Sequence, residues 1–106
     1  MRYEVKYSPA AVRDLDRVFS EVYKVSKSHD ISVKYIEDLM DQVDAKASFP
    51  KTGIPLYYEN GFTGYYYVVF KEYLAFYRLD HDSIMVDRVL YRKSDYMRVL
   101  KLDDET

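Results

Sequence analysis

The sequence contains no cysteine, which excludes disulfide bonds and thiolate metal sites. No stretch approaches the roughly 18 uninterrupted apolar residues that a membrane-spanning helix needs. The opening segment, MRYEVKYSPAAVRDL, carries charges every few residues and lacks the apolar core of an export signal. We therefore expect a protein of the reducing cytoplasm that is neither exported nor embedded in a membrane.

An excess of positive charge is also missing. The chain has 16 Lys and Arg residues against 18 Asp and Glu residues, which gives a net charge of -2 and a pI of about 5.6. A dedicated nucleic-acid-binding protein usually presents a basic surface that neutralises phosphates. The composition as a whole lacks the electrostatic signature of such a protein.

The sequence does contain enough apolar and aromatic residues for one core. Its 106 residues, 48% of them hydrophobic, suit a single globular domain that spans residues 1–106. Thirteen residues are tyrosines, and most of them lie between Tyr57 and Tyr96. The unusual chemistry of the chain is therefore expected in its second half.

The N-terminal segment predicts a strand followed by a helix. Apolar and charged residues alternate from Arg2 to Tyr7, the period of two expected of a strand with one covered face. Ser8 and Pro9 then suit a helix N-cap and a first helical turn. The next apolar residues recur every three or four positions, which predicts an amphipathic helix of about four turns. This stripe consists of Ala11, Leu15, Val18, Val22 and Val25, with Phe19 beside it and charged residues such as Asp14 opposite.

A second helix follows a break in the pattern between Ser26 and Asp30. Phe49 and Pro50 end its apolar stripe. Two amphipathic helices joined by a short break pack as antiparallel neighbours, so we predict a helical hairpin. The second stripe consists of Ile36, Leu39, Met40, Val43 and Ala47.

From Lys51 onward the pattern favours strands. A strand-like segment at residues 54–58 leads to Asn60 and Gly61, a pair typical of tight turns. Aromatic and β-branched runs follow, separated by short polar segments, and they predict an antiparallel meander. These runs lie at residues 65–70, 73–79 and 84–91.

Residues 94–102 predict a short closing helix before an acidic, frayed end at 103–105. Ser94 is its expected cap, and Tyr96, Val99 and Leu100 are expected to face inward. The predicted fold is therefore an α+β domain. It comprises an N-terminal strand, a helical hairpin, an antiparallel meander of three to four strands and a short C-terminal helix.

Particular stretches resemble the RelE/ParE toxin superfamily over nearly the whole chain. The segment YSPAAVRDL at residues 7–15 is similar to the opening with which these toxins leave strand one for helix one. The segments YLAFYRL at 73–79 and LYRKSDY at 90–96, with the strand at 84–89 between them, are similar to the family's last strands and C-terminal end. The linker FPKTG at 49–53 is similar to the family's connection between the second helix and the sheet.

The resemblance implies a toxin of a type II toxin–antitoxin system, held inactive by an antitoxin that wraps its surface. Free toxins of this superfamily either cut mRNA in the ribosomal A site or, in ParE relatives, poison DNA gyrase, and one fold serves both targets. Three hypotheses stay open: a metal-free, ribosome-dependent mRNA endonuclease, a gyrase inhibitor that acts by binding, and an attenuated toxin that retains only antitoxin binding. The expected partners are a cognate antitoxin and either the ribosome with its mRNA or gyrase. No small-molecule cofactor is expected.

Candidate catalytic residues follow from the same resemblance. RNA cleavage of this kind needs a group that takes the 2′-OH proton, cations for the phosphorane charge and an acid for the leaving oxygen. The family's C-terminal arginine falls on Arg92 or Lys93, and its C-terminal tyrosine falls on Tyr96. The alternatives are solvated charges for the first two residues and a ring packed under the terminal helix for Tyr96.

One departure from the family pattern concerns a strand in which relatives often carry an arginine. Here the strand reads GYYYV at residues 64–68, and Tyr66 stands in the place of that arginine. Loss of one charge-stabilising donor typically costs about 10²–10³ in rate. Lys71, Arg78 and Arg88 are candidate replacement cations, and the last two share a face if their hairpin closes symmetrically. Tyr66 itself is a candidate for stacking on a nucleotide base.

Structural interpretations compete with these roles. Lys71 suits a turn, and Arg88 suits an ion pair with one of the carboxylates of Asp80, Asp82 or Asp87. His29 and His81 fall in predicted turns without a companion at metal-ligand spacing, so we expect no metal site.

The tyrosine clusters at residues 57–58 and 65–67 suit base stacking, a protein interface or ordinary strand packing. Strand alternation sends Tyr66 to the face opposite Tyr65 and Tyr67. Some exposed aromatic surface is therefore expected, and an antitoxin is its natural cover.

Overall fold

The computed structural model describes residues 2–101, and its elements follow the predicted α+β order. Strand β1 spans Glu4–Tyr7, helix α1 spans Pro9–Ser26, helix α2 spans His29–Asp44, and a 3-10 turn spans Pro50–Thr52. Strand β2 spans Ile54–Tyr58, β3 spans Gly61–Phe70, β4 spans Tyr73–Asp80, β5 spans Ser83–Tyr91, and helix α3 spans Tyr96–Val99. Within this part of the chain no helix is long and apolar enough to cross a membrane.

The strands form one five-stranded sheet in the order β1-β5-β4-β3-β2. Strands β2 to β5 are the predicted antiparallel meander, with four members. The turn between β2 and β3 consists of Glu59 and Asn60, and its left-handed backbone falls on Glu59 (φ 58°). Strand β1 pairs in parallel with β5, from Glu4 opposite Ser83 to Tyr7 opposite Val86. This long-range pairing joins the first strand of the chain to the last.

The predicted N-cap of α1 is confirmed. The Ser8 Oγ accepts a hydrogen bond from the Ala11 N–H at 3.0 Å and donates one to the Asp87 carbonyl at 2.8 Å. The helix has 18 residues, hence about five turns and not four. It ends at Lys27, which has a left-handed φ of 57°. Val25, the last residue of the predicted apolar stripe, is 87% exposed.

Helix α2 begins earlier than the sequence pattern predicted. Ser28 caps it by accepting a hydrogen bond from the Ile31 N–H at 3.2 Å. The expectation that His29 lies in a turn was therefore wrong: it opens α2, and its ring centroid lies 5.6 Å from that of Phe19. The buried Ala47 lies beyond the helix end, where its carbonyl accepts from the Tyr3 N–H at 2.7 Å.

Two apolar clusters lie on opposite faces of the sheet. The larger cluster fills the space between the sheet and the helical hairpin, and Tyr66 packs against it. The smaller cluster includes Tyr65 and Tyr67, so the predicted alternation of these three tyrosines is confirmed. The buried members of the larger cluster are Ala11, Leu15, Val18, Leu39, Val43, Val68, Tyr73, Ala75, Tyr77, Ile84, Val86 and Val89. Those of the smaller cluster are Leu56, Leu74, Phe76 and Leu90.

Helix α3 is a single turn that covers part of the smaller cluster with Tyr96, Met97 and Leu100. It is shorter than the predicted helix of residues 94–102, of which Leu102 lies outside the described residues, as does the acidic segment 103–105. The expected cap was wrong, since the Ser94 hydroxyl donates to the Tyr91 carbonyl at 2.6 Å and Asp95 precedes the helix. Val99 is exposed and does not face inward.

Candidate functional site

Arg92 lies beside the turn between β3 and β4. Its backbone N–H donates to the Glu72 carbonyl at 2.8 Å, and its guanidinium donates to the Lys71 carbonyl at 3.4 Å. Lys71 has a left-handed φ of 51°, as its interpretation as a turn residue requires, and its ammonium lies 5.0 Å from the ring centroid of Tyr35. Lys93 follows and is exposed. Three of the predicted cations, Lys71, Arg92 and Lys93, therefore lie at this end of the sheet.

Tyr96 lies over the middle of the sheet, on the face opposite the helical hairpin. Its ring centroid is 5.2 Å from that of Phe76, and the two planes are tilted by 37°. The side chain is partly buried among the residues of the smaller cluster. Packing against Phe76 thus fixes the position of the Tyr96 ring.

Arg78 lies near the other end of the sheet. Arg92 follows Tyr91, and Tyr91 pairs with Tyr73 of β4. Arg78 lies five residues beyond Tyr73 on the same strand, a distance of about 16 Å at the rise of a strand. The Arg78 Nε donates to Asp87 Oδ2 at 2.8 Å, and the Tyr65 hydroxyl donates to the same oxygen at 3.0 Å. Burial and then the Asp87 carboxylate raise the pKa of Tyr65. Arg78 is thus held in a hydrogen-bonded group with Asp87 and Tyr65.

A β-bulge accounts for this arrangement. Tyr77 pairs with Val86 while Phe76 pairs with Arg88, so Asp87 is an extra residue in β5. Bulges of this kind redirect the side chains next to them. The β4–β5 hairpin therefore does not close symmetrically, and Arg78 and Arg88 bind different carboxylates.

Arg88 forms an ion pair with Asp14 of α1. Its Nε and Nη2 donate to the two carboxylate oxygens at 2.7 and 3.0 Å. The Val89 N–H and Arg17 donate to the same carboxylate at 2.9 and 3.1 Å, and the Asp14 side chain is only 2% exposed. The structural interpretation of Arg88 as an ion-pair residue is correct. The expected partners Asp80, Asp82 and Asp87 were wrong.

Sequence reasoning missed the role of Asp14, which it placed on the polar side of α1. Burial by itself raises the pKa of this carboxyl, but the hydrogen bonds from Arg88 and the Val89 N–H outweigh burial and lower it. The sequence did contain a signal for the burial of Asp14. It lies three residues after Ala11 and four before Val18, on the same face of the helix as the apolar stripe. Its carboxylate satisfies the Val89 N–H in the part of β5 that extends beyond β1.

Tyr66 lies on the helix-covered face. Its ring stacks on the buried Tyr77 with centroids 5.6 Å apart and planes at 18°, and the Phe62 ring lies edge-on with its centroid 5.2 Å from that of Tyr66. The Tyr77 hydroxyl donates to the Pro50 carbonyl, and burial is the main reason that its pKa rises to about 12. The residue in place of the family's arginine therefore belongs to a row of packed aromatic rings.

The predicted site residues thus do not gather in one place. Lys71, Arg92 and Lys93 lie at one end of the sheet, and Tyr96 lies over its middle. Arg88, opposite Phe76, is bound to Asp14 of α1, and Arg78 is bound to Asp87 towards the other end. Tyr66 is on the opposite face. Among residues 2–101, no group of three or more His, Cys, Asp and Glu side chains is arranged to hold a metal ion.

Comparison with known proteins gives one family. A family model described as the ParE toxin of the type II toxin–antitoxin system parDE matches residues 5–96. This match and the fold confirm the resemblance to the RelE/ParE superfamily. No curated protein sequence matches the chain.

Two solved structures share the fold. One is the chromosomal ParDE toxin–antitoxin system from P. aeruginosa, with a TM-score of 0.69 and 20% identity over 85% of this chain and 96% of that chain. The other is the RelBE2 toxin–antitoxin complex from Mycobacterium tuberculosis, with a TM-score of 0.57 and 22% identity over 87% of this chain and 100% of that chain.

Proposed function

The chain belongs to the ParE toxin family of type II toxin–antitoxin systems, and from that premise we propose that a cognate antitoxin neutralises it and that the free toxin inhibits DNA gyrase by binding. The two solved relatives are a toxin–antitoxin system and a toxin–antitoxin complex, which supports an antitoxin as the first partner. Binding to gyrase is the ParE-like mode of action. It requires an interaction surface and no catalytic residues.

The separation of Arg92 from the candidate replacement cation Arg78 supports action by binding. Cleavage of a phosphodiester needs the base, the acid and the charge-stabilising cations within hydrogen-bond distance of one phosphate. Here the Tyr73–Tyr91 pair that precedes Arg92 lies about 16 Å along the sheet from Arg78, as judged from the rise of a strand. A single phosphate does not span that distance.

The ion pairs of the candidate cations also support action by binding. The guanidinium groups of Arg78 and Arg88 are hydrogen-bonded to Asp87 and Asp14 at 2.8 and 2.7 Å. A cation already bound to a carboxylate contributes less to an RNA phosphate, because the carboxylate repels the phosphate. The net charge of -2 also opposes RNA binding at long range.

One observation favours a second candidate, a metal-free and ribosome-dependent mRNA endonuclease. Lys71, Arg92 and Lys93 gather at one end of the sheet, and the last two are the residues to which the family resemblance assigns catalysis. In this candidate Arg92 and Lys93 stabilise the phosphorane charge, and Tyr96 stacks on a base or assists proton transfer. Lys71 then contributes a contact to RNA.

Inducible expression of the chain alone in a bacterial host separates these functions. We expect growth arrest with filamentous cells, broken DNA and intact mRNA, and rescue by the antitoxin encoded beside the toxin gene. The variants Arg92→Ala and Tyr96→Phe should remain toxic, since neither residue has a catalytic role in a binding inhibitor. Codon-phased mRNA cuts that disappear with Arg92→Ala would instead establish the endonuclease.

A third outcome of the same experiment concerns toxicity itself. Normal growth of cells that contain abundant soluble protein would contradict both active functions. It would leave an attenuated toxin that only binds its antitoxin. Co-purification of the two proteins from the same cells distinguishes that outcome from a chain that fails to bind any partner.

A further inference from the structure

The helical hairpin carries a second apolar surface that does not face the sheet. On α1 this surface is a stripe that begins one residue after the buried Ala11, about a quarter of a turn around the helix from the buried stripe. Val12 is 48% exposed and Tyr23 45%, and Phe19 between them is half-buried. Contiguous apolar groups that folding leaves in water are typical of an interaction site.

Helix α2 completes this surface, because a groove lies between the two helices. The groove has a volume of about 200 Å³, and its apolar lining consists of Leu15, Phe19, Val33 and Ile36. The Phe19 ring makes an edge contact with the ring of His29, with the centroids 5.6 Å apart. Val12 and Tyr23 lie on the same side of α1 as Phe19, since they are separated from it by seven and four residues. We call the groove together with Val12 and Tyr23 the outer helix face.

Two carboxylates flank the groove, Asp16 on α1 and Glu37 on α2. Both side chains are exposed. The neighbouring Asp38 forms an ion pair with Lys34 at 3.0 Å. Within residues 2–101, no ion pair includes Asp16 or Glu37. The outer helix face therefore combines an apolar groove with negative charge on both of its sides, and that charge is available to a partner.

The charge of this face indicates the chemistry of its partner. Gyrase acts on DNA, and a protein that binds DNA presents Lys and Arg side chains to the phosphates. A basic surface of this kind attracts a chain of net charge -2 and is complementary to carboxylates that flank an apolar groove. A groove between two helices accepts the side-chain ridge of a third helix. The segment of gyrase that fits is therefore a helix with apolar side chains between Lys or Arg residues.

From these observations we propose that the toxin binds gyrase with its outer helix face, through a basic amphipathic helix whose Lys or Arg side chains pair with Asp16 and Glu37. This proposal rests on the proposed inhibition of gyrase. It adds the surface of the toxin and the chemistry of the gyrase segment that meets it.

Charge reversal alters this surface without disturbing the core. Asp16→Lys and Glu37→Lys replace exposed side chains on the two helices. Glu59→Lys is the matched control, because it changes the net charge by the same amount but lies in the exposed turn between β2 and β3. Circular dichroism establishes that each variant is folded.

Inhibition of gyrase supercoiling by each purified toxin tests the proposal. We expect the toxin concentration for half-maximal inhibition to rise about 10-fold in each charge-reversed variant and about 100-fold in the double variant, because repulsion replaces attraction. Glu59→Lys should stay within about 2-fold of the wild type, as peripheral contacts do. Added salt should weaken inhibition by the wild type more than inhibition by the double variant, since salt screens the charge pairs. All variants should bind the antitoxin with wild-type affinity in a calorimetric titration.

Each contrary result has a separate meaning. Inhibition by the wild type that both charge reversals leave unchanged overturns the assignment of the outer helix face and leaves gyrase as the target. No inhibition by the wild type overturns both proposals. Loss of antitoxin binding in the charge-reversed variants, with gyrase inhibition unchanged, assigns the face to the antitoxin. A wild-type dimer that the same variants dissociate, with gyrase inhibition unchanged, assigns it to a second copy.

Discussion

The two ends of α1 have the same apolar spacing but different surroundings. At the N-terminal end, Ala11 and Val18 are fully buried and Asp14 is 2% exposed. At the C-terminal end, Val25 continues the stripe and is 87% exposed beside the carboxylate of Glu21. Periodicity in the sequence therefore identifies which face of a helix is apolar. It does not show how far the rest of the protein extends over that face.

The difference separates residues that stabilise the fold from residues available to a partner. Asp14 satisfies Arg88 and the Val89 N–H inside the molecule, and within residues 2–101 every buried side-chain nitrogen and oxygen has a hydrogen-bond partner. At the other end, the Val25 side chain remains in solvent. Substitutions at the N-terminal end should affect stability, and substitutions at the C-terminal end should affect binding.

Asp14→Ala should cause the largest loss of stability. The substitution leaves the guanidinium of Arg88 and the Val89 N–H without their acceptor in a largely buried place, which costs about 3 kcal/mol of unfolding free energy. Urea denaturation followed by circular dichroism measures it. Asp16→Ala, on the exposed side of the same helix, should change the unfolding free energy by less than about 0.5 kcal/mol. Equal effects of the two substitutions would mean that the buried Asp14 stabilises the fold no more than an exposed aspartate does.

A pair of valine substitutions compares the two ends directly. Val18→Ala removes buried methyl groups and should lower the unfolding free energy by about 2 kcal/mol. Val25→Ala removes exposed ones and should raise it by about 0.5 kcal/mol, since alanine has the higher helix propensity. The same denaturation experiment measures both. A loss of stability in Val25→Ala as large as that in Val18→Ala would show that Val25 is covered in solution.

The contribution of Asp14 should depend on pH. Its pKa is lowered from 3.8 in the folded protein, so its stabilising effect is fully present above about pH 4 and is lost as the pH falls through the folded pKa. The stability difference between the wild type and Asp14→Asn should therefore be constant from pH 7 to pH 5 and shrink below pH 4. Urea midpoints across this range measure it. A difference that grows on acidification would contradict the lowered pKa.

The smallest expected effect is on the stability of Ile31→Glu. Its capping box with Ser28 should raise the unfolding free energy by a few tenths of a kcal/mol, about the size of an N-terminal charge effect on a helix. Thermal unfolding monitored by circular dichroism checks this. A lower melting temperature would mean that the exposed Ile31 side chain stabilises the domain more than the capping box does.

Much of the fold followed from local patterns, and the remainder depended on distant parts of the chain. Ser8 and Pro9 marked the start of α1, and the strand-like runs marked the meander. The parallel pairing of β1 with β5 has no local signal, because it joins segments about 80 residues apart. Helix α3 was overestimated because Ser94 has a cap-forming side chain but hydrogen-bonds the Tyr91 carbonyl instead.

The candidate site was less predictable than the fold. Family resemblance pointed to Arg92, Lys93 and Tyr96, and the structure places the Tyr96 ring over Phe76 and the two cations at the end of the sheet. The ion pair of Arg88 with Asp14 depends on α1 packing beside β5, and the group formed by Arg78, Asp87 and Tyr65 depends on a bulge. Neither contact follows from the spacing of residues along the chain.

A gyrase supercoiling assay with purified components tests most directly whether the toxin acts by binding. Relaxed plasmid, ATP and gyrase are incubated with the toxin, and a parallel reaction contains ribosomes with a defined mRNA. If the toxin acts by binding, wild-type toxin and Arg92→Ala block supercoiling equally, the antitoxin restores it, and the mRNA stays intact. Undisturbed supercoiling together with mRNA cuts that Arg92→Ala abolishes would contradict action by binding.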